Sequence, residues 1–167
     1  MRILGIDPGS RITGFGVVDV VGTRVRYVTC GCVTTRGDDL GQRLRQIHDG
    51  VRAVVREYRP EELAAEKVFV HRNAASAIKL GQARGAALVA ALGEGLTLFE
   101  YSPNEVKQAI TGRGHAEKQQ MQHMVKMLLA LTEAPATDAA DALAVAVCHG
   151  HVRETRRRLA RAAGGRA

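Results

Sequence analysis

Cysteine, proline and aromatic residues are scarce in this 167-residue chain, which holds three cysteines, four prolines, three tyrosines, three phenylalanines and no tryptophan. Cys30, Cys32 and Cys148 are odd in number and lack metal-ligand spacing, which argues against both a disulfide framework and a zinc site and leaves free thiols of a reducing compartment. No apolar run reaches the roughly 18 residues of a membrane-spanning helix, and the N-terminus enters a strand at once rather than a leader peptide. A soluble, cytoplasmic protein is the expectation. No Walker-type phosphate loop occurs, so no nucleotide is expected, and no internal repeat is visible.

What is present suits one well-buried core: 46% of the residues are hydrophobic, too few residues in all for two sizeable domains. The formal charge is +7, which invites a nucleic-acid partner, but its distribution tempers that reading. Six arginines (Arg153, Arg156, Arg157, Arg158, Arg161, Arg166) stand against one acid, Glu154, after residue 152, so most of the excess sits in the last fifteen residues. The expectation is one domain over residues 1–152 and a basic tail over 153–167, disordered or a frayed helix.

Along the chain, "RILGID" predicts a short buried strand that stops at the turn signal Pro8-Gly9. "TGFGVVDVVG" and "RVRYVTCGCVTT", split by Gly22 and Thr23, extend it into a three-stranded antiparallel meander. Leu40, Leu44, Ile47, Val51 and Val54 form one helical stripe that Pro60 ends. "ELAAEKVFV" predicts a fourth strand, the Ala- and Gly-rich stretch from Ala74 to Leu92 a helix, and "TLFEYS" a fifth strand. Helices follow from Pro103, from about Glu117 to Leu131, and from about Thr137 to His149. The fold class is therefore α/β: a five-stranded mixed sheet, its first three strands antiparallel, with helices on both faces.

Four acids stand out. Asp7 ends a buried strand, and Glu66 lies in the strand of a β-α unit; if the two strands pair in parallel, both acids reach the carboxyl edge of the sheet, where open α/β sheets place ligands. Asp138 and Asp141 lie three apart and share a helix face. Read separately, three have an ordinary explanation: Asp7 as a turn acid, Asp138 as an N-cap and Asp141 as an acid in the first helical turn, the last two worth about 1 kcal/mol or less. Glu66, inside an apolar strand, does not, because burying an unpaired carboxylate is costly. Together they demand more, because two carboxylates ~4 Å apart repel by roughly 4 kcal/mol at an effective dielectric of about 20. Acids that converge need a cation. Oxygen-only ligands point to Mg²⁺ or Mn²⁺ rather than zinc, and four carboxylates suit two ions about 3.5 to 4 Å apart, as used for in-line attack on phosphodiesters.

The segments "GIDPGSRITGFGVVD", "AAEKVFVHRNAASAIKLGQARG", "YSPNEVKQAITGRGHAEKQQM" and "DAADALAVAVCH" strongly resemble the RuvC-type Holliday junction resolvases, over about residues 1 to 150. The resemblance implies the RNase H-like fold and a homodimeric, Mg²⁺-dependent endonuclease that nicks two opposed strands of a four-way DNA junction, leaving 5′-phosphate and 3′-hydroxyl ends. It implies Asp7, Glu66, Asp138 and Asp141 as metal ligands. It also implies a working association with the branch-migration proteins RuvA and RuvB.

Between Glu66 and Glu94 no acid occurs, whereas Lys67, Arg72, Lys79 and Arg84 do, which makes this the basic stretch of a nearly neutral body and a candidate phosphate contact. Phe69 and His71 share the segment. Phe69 reads as a core aromatic on its own, and as a base-stacking residue by resemblance. Lys107 and Lys118 flank "QAITGRGHAE", which also holds Arg113 and His115; the resemblance places both lysines close to the scissile phosphate. Small residues on nearly every side of 74–92 suit burial by the chain itself or a two-fold dimer contact. Two other readings compete: an actin-like or sugar-kinase-type ATPase domain, since "DPGSRITGFG" also passes for its phosphate loop, and a noncatalytic junction-binding protein. ATP binding would mark the first, and binding without Mg²⁺-dependent cutting the second.

Overall fold

The structure, a computed structural model, describes residues 1–68, 74–112, 114 and 116–164. Three strands open it: β1 (Arg2–Asp7), β2 (Ile12–Val21) and β3 (Arg24–Thr34). They pair antiparallel, with Asp7 opposite Gly14 and Val18 opposite Tyr27 beside a register shift. Then come α1 (Leu40–Tyr58), β4 (Glu62–Glu66), α2 (Ala74–Leu92) and β5 (Thr97–Tyr101). The chain continues with α3 (Pro103–Thr111), α4 (Lys118–Leu128) and α5 (Thr137–Gly164). Sheet order is β3-β2-β1-β4-β5, with β4 parallel to both β1 and β5.

Alternation along the strands builds two cores. Leu4, Ile6, Val17, Leu63 and Ala65 face α1 and α2, where Ile47, Val51, Ala83, Ala87 and Ala91 meet them. Ile3, Val18, Ala64 and Tyr101 face α3, α4 and α5, against Val106, Ile110, Val125 and Leu143. By the same alternation Asp7, Glu62 and Glu66 belong to the α5 side of the sheet. The first turns are set locally: Asp39 caps α1 by accepting from the Gln42 N–H, and Ser102 and Glu105 form a reciprocal capping box ahead of Pro103.

Two boundaries differ from the sequence reading. The fourth strand was expected through Val70; among the described residues it ends at Glu66, with one last bond from the Lys67 N–H to the Tyr101 carbonyl, since β1 stops at Asp7 and β5 at Tyr101. Phe69 and Val70 lie outside the described residues. The last helix was expected to end near His149, with a disordered or frayed tail after it; instead α5 runs unbroken to Gly164. Arginine, alanine and leucine are good helix formers, and Glu154 pairs with Arg157 and Arg158 one turn on, while Arg153 reaches Glu62. Among the described residues no helix is long and apolar enough to cross a membrane.

Candidate active site

Asp7 and Glu66 end adjacent parallel strands, β1 and β4, with Ile6 opposite Ala65, so the expected pairing of the two strands is present. Asp138 and Asp141 come to them on the first turns of α5, which lies unusually close to the sheet. The approach is possible because glycine lines its path. A Cβ on Gly5 would fall 2.1 Å from the Ala142 carbonyl oxygen, and one on Gly14 would fall 2.0 Å from that of Asp138. No other residue fits there.

Asp7, Glu66 and Asp141 line one cavity of about 320 Å³ together with Lys107 and Lys118, over a floor that includes Val106, Met121 and Ala144. Burial pushes the Asp7 carboxyl up to about 7, helped by the charges of Asp141, Asp138 and Glu66. Glu66 is raised as well, by burial first and by Asp141 second, while Lys107 pulls it back. Lys118 places its ammonium 3.1 Å from Asp141 Oδ2, a bond that raises its own pKa. Asp138 adds its charge to Asp7 from beside β3, where the half-buried Cys32 thiol is in turn raised by desolvation and by Asp138.

Among the described residues, no three acidic, histidine or cysteine side chains stand as a closed metal cage in the present arrangement. The donor set nonetheless fits a hard divalent cation: oxygen only, crowded, and short of positive charge to the point that one carboxyl loses its ordinary acidity. Lys118 supplies part of that missing charge.

The other expected site residues divide. Lys79 is exposed on α2. Arg84, expected as a phosphate contact, is 17% exposed in its side chain, pairs with Glu100 and reaches the Glu66 carbonyl at 3.5 Å. Its positive charge is already met within the protein. Phe69, His71, Arg72 and Arg113, along with His115, lie outside the described residues. Sequence reasoning missed Cys32 beside Asp138 and the glycine track under α5. The alternation in "TGFGVV" carried the second signal, since Gly14 and Gly16 are two apart and share a sheet face.

A sheet of this order, with acids at the ends of neighbouring parallel strands and a third element bringing more across them, defines the RNase H-like nucleases. Comparison with known proteins narrows the class. The family profile described as crossover junction endodeoxyribonuclease RuvC matches residues 3–149. The crossover junction endodeoxyribonuclease RuvC of Shewanella piezotolerans is 55% identical over 165 residues, 99% of this chain and 93% of that protein. Among solved structures, Thermus thermophilus RuvC in complex with a Holliday junction substrate aligns with TM-score 0.87 at 39% identity, covering 93% of this chain and 96% of that one. The same enzyme in a further structure gives TM-score 0.84 at 39% identity, covering 93% and 97%. This chain belongs to the RuvC family: it is a crossover junction endodeoxyribonuclease, a resolvase of Holliday junctions. The family is one of metal-dependent nucleases.

Proposed function

We propose that the cavity between β1, β4 and α5 cuts two opposed strands of a four-way DNA junction with Mg²⁺, two ions per subunit, and leaves ligatable 5′-phosphate and 3′-hydroxyl ends. Asp7, Glu66, Asp138 and Asp141 are its ligands, and Mn²⁺ substitutes. The observation that carries this reading is the ring of Asp7, Glu66 and Asp141 lining one cavity with Lys107 and Lys118, where burial and the neighbouring carboxylates raise the Asp7 carboxyl to about 7. Such a ring is costly unless a cation of more than one charge shares it.

When bound, the ions supply an acidified water and charge neutralisation at the leaving oxygen. The protein's own residues do the rest. The sheet edge fixes Asp7 and Glu66 on adjacent strands, so their spacing does not depend on loop order. Lys107, on α3, and Lys118, at the start of α4, hold the scissile phosphate and offset the charge that grows on it in the transition state. Lys118 is well placed for exchange between Asp141 and a phosphate oxygen, being 63% exposed. The apolar floor of Val106, Met121 and Ala144 keeps bulk water from the inner wall.

DNA approaches over the same edge. Lys79, Arg72 and Arg113 contact backbone phosphates, and Phe69 and His71 stack or bond at the unpaired crossover bases. Residues 1–152 form the nuclease domain. The enzyme works in the cytoplasm as a homodimer, alongside RuvA and RuvB. Support for the dimer comes from α2, where Ile78 and Val89 are 62% and 61% exposed and a Cβ on Gly81 or Gly85 would meet only open space. A two-fold pairing through that helix would offer two cavities to a two-fold substrate.

The deciding experiment is incubation with a synthetic immobile junction and a matching linear duplex, with and without Mg²⁺. Paired nicks at the junction, absent without metal and absent in Asp7→Asn despite intact binding, are expected. Cleavage by Asp7→Asn at the wild-type rate would overturn the ligand assignment.

A further inference from the structure

At the far end of the same sheet face lies a buried polar chain that the cleavage chemistry does not touch. His149, on α5, is 1% exposed. Its Nδ1 is 2.6 Å from the Tyr101 hydroxyl and its Nε2 is 2.6 Å from Glu62 Oε2. Phe99 stacks on the ring with centroids 4.4 Å apart, and Arg153 Nε lies 3.0 and 3.1 Å from the two Glu62 oxygens.

The protonation of the chain follows from its members. Burial pushes the Tyr101 phenol up to about 12, so it keeps its proton and donates to Nδ1. Burial lowers the His149 pKa against the pull of Glu62, so the ring is neutral with its one proton on Nε2, donated to the carboxylate. Glu62 then carries the only negative charge of the chain and Arg153 answers it. Every ring nitrogen has one partner of the right kind, which is the condition for a buried polar network to fix a single geometry.

The placement gives this chain a task. Glu62 and Glu66 are four residues apart on β4, about 13 Å of strand. Asp141 and His149 are eight apart on α5, about 12 Å of helix. Glu66 and Asp141 line the same cavity at one end and Glu62 bonds His149 at the other, so strand and helix run antiparallel. Small residues lie between them: Ala64 on β4, Ala142, Ala144 and Ala146 on α5, and Gly5 on β1 against α5. Close packing of these small residues brings the helix near the sheet, and the His149–Glu62 bond adds a directional polar tie to it.

We infer that His149 is a positioning residue: with Glu62 and Tyr101 it locks the axial register of α5 on β4 and thereby sets the distance between Asp141 and Glu66. This rests on the carboxylate reading given above and adds a residue to it. Tyr101 strengthens the lock from the third side, since it pairs with Glu66 in the β4–β5 ladder and accepts the Lys67 N–H through its carbonyl.

The test compares His149→Leu, which removes both hydrogen bonds, with His149→Gln, whose amide can donate to Glu62. Mn²⁺ binding to the DNA-free protein is followed by loss of the free-ion paramagnetic resonance signal, beside junction affinity in Ca²⁺ and the Mg²⁺ dependence of single-turnover cleavage. His149→Leu is expected to bind Mn²⁺ roughly tenfold more weakly, the low end of the loss for outer supports of a metal site, and to need correspondingly more Mg²⁺. Junction affinity should stay unchanged, and His149→Gln should regain most of the Mn²⁺ affinity. A folded His149→Leu protein with wild-type Mn²⁺ affinity overturns the inference even if it melts earlier, and an equal loss of junction affinity overturns it in favour of general distortion. If His149→Leu does not fold, Tyr101→Phe takes its place, with wild-type Mn²⁺ affinity again the overturning result. Asp7→Asn in the same titration separates the two readings: wild-type Mn²⁺ binding by that variant would sink the carboxylate site itself.

Discussion

Gly14 lies directly under the Asp138 carbonyl: a Cβ added to it would stand 2.0 Å from that oxygen and 3.0 Å from the Ala139 nitrogen. Since the obstacle is backbone on a long helix, nothing flexible can yield. Gly14→Ala should therefore lift the start of α5 off β2, costing 1–3 kcal/mol or more, roughly the penalty of overpacking a core. Cleavage should fall further than stability does, because Asp138 and Asp141 both ride on the displaced turn. Chemical denaturation set beside single-turnover cleavage measures the two effects separately.

The raised carboxyls predict a pH dependence with a definite sign. A carboxyl whose folded pKa lies above its unfolded value stabilises the fold while it is protonated, and that contribution is lost as pH rises through the folded value. For Asp7 the window runs from its ordinary range near 4 up to about 7, and Glu66 shifts in the same direction. The metal-free protein should melt lower at about pH 8 than at about pH 5.5, and Mg²⁺ should recover the difference at the higher pH. Asp7→Asn should flatten the metal-free profile. Calorimetry in chelator and in Mg²⁺ checks all three points.

Lys118→Met should move two observables in opposite directions. Without the ammonium, Asp141 and its neighbours attract a cation more strongly, so Mn²⁺ affinity of the DNA-free protein should increase. Cleavage should nonetheless drop by about 10²-fold, the usual cost of one transition-state donor. The logarithmic salt slope of junction affinity should become shallower by about 1. A parallel rise or a parallel fall of metal affinity and rate would exclude the dual role.

Arg84 gives a contrasting expectation. Because its guanidinium is held by Glu100 and faces the Glu66 carbonyl, Arg84→Ala should leave the salt slope of junction binding as it is. Stability should fall by about 1–2 kcal/mol from the unpaired partners left behind. Lys79→Ala, from the exposed side of the same helix, is the matched control and should lower the slope.

Much of this molecule is legible in its sequence because the informative patterns are local. The alternating runs of β1 to β3, the apolar stripe of α1 and the helix start at Pro103 each lie within a few residues, and the structure contains each of them. Asp7 and Glu66 could be placed together because parallel strand order is a rule of α/β folds rather than a property of either segment. The buried chain through His149 was not legible, since Glu62 and His149 are 87 residues apart and each reads alone as an ordinary polar residue. The partner of Arg84 was not legible for a related reason: a basic stretch without acids nearby in sequence says nothing of Glu100, which arrives from the next strand. The continuation of α5 past His149 was hidden by the arginine content, which resembles a solvated tail until Glu62 and Glu154 provide partners.

The Lys118–Asp141 contact makes this a centre furnished with its own tethered monovalent stand-in. Between encounters with substrate, the ammonium tempers the crowding of acids around Asp141 and Asp7. On the metal reading proposed above, every incoming ion would compete with a side chain that never diffuses away. On the same reading, a phosphate that drew the lysine aside would remove that competitor as it brought oxygens of its own, tying ion loading to the arrival of DNA.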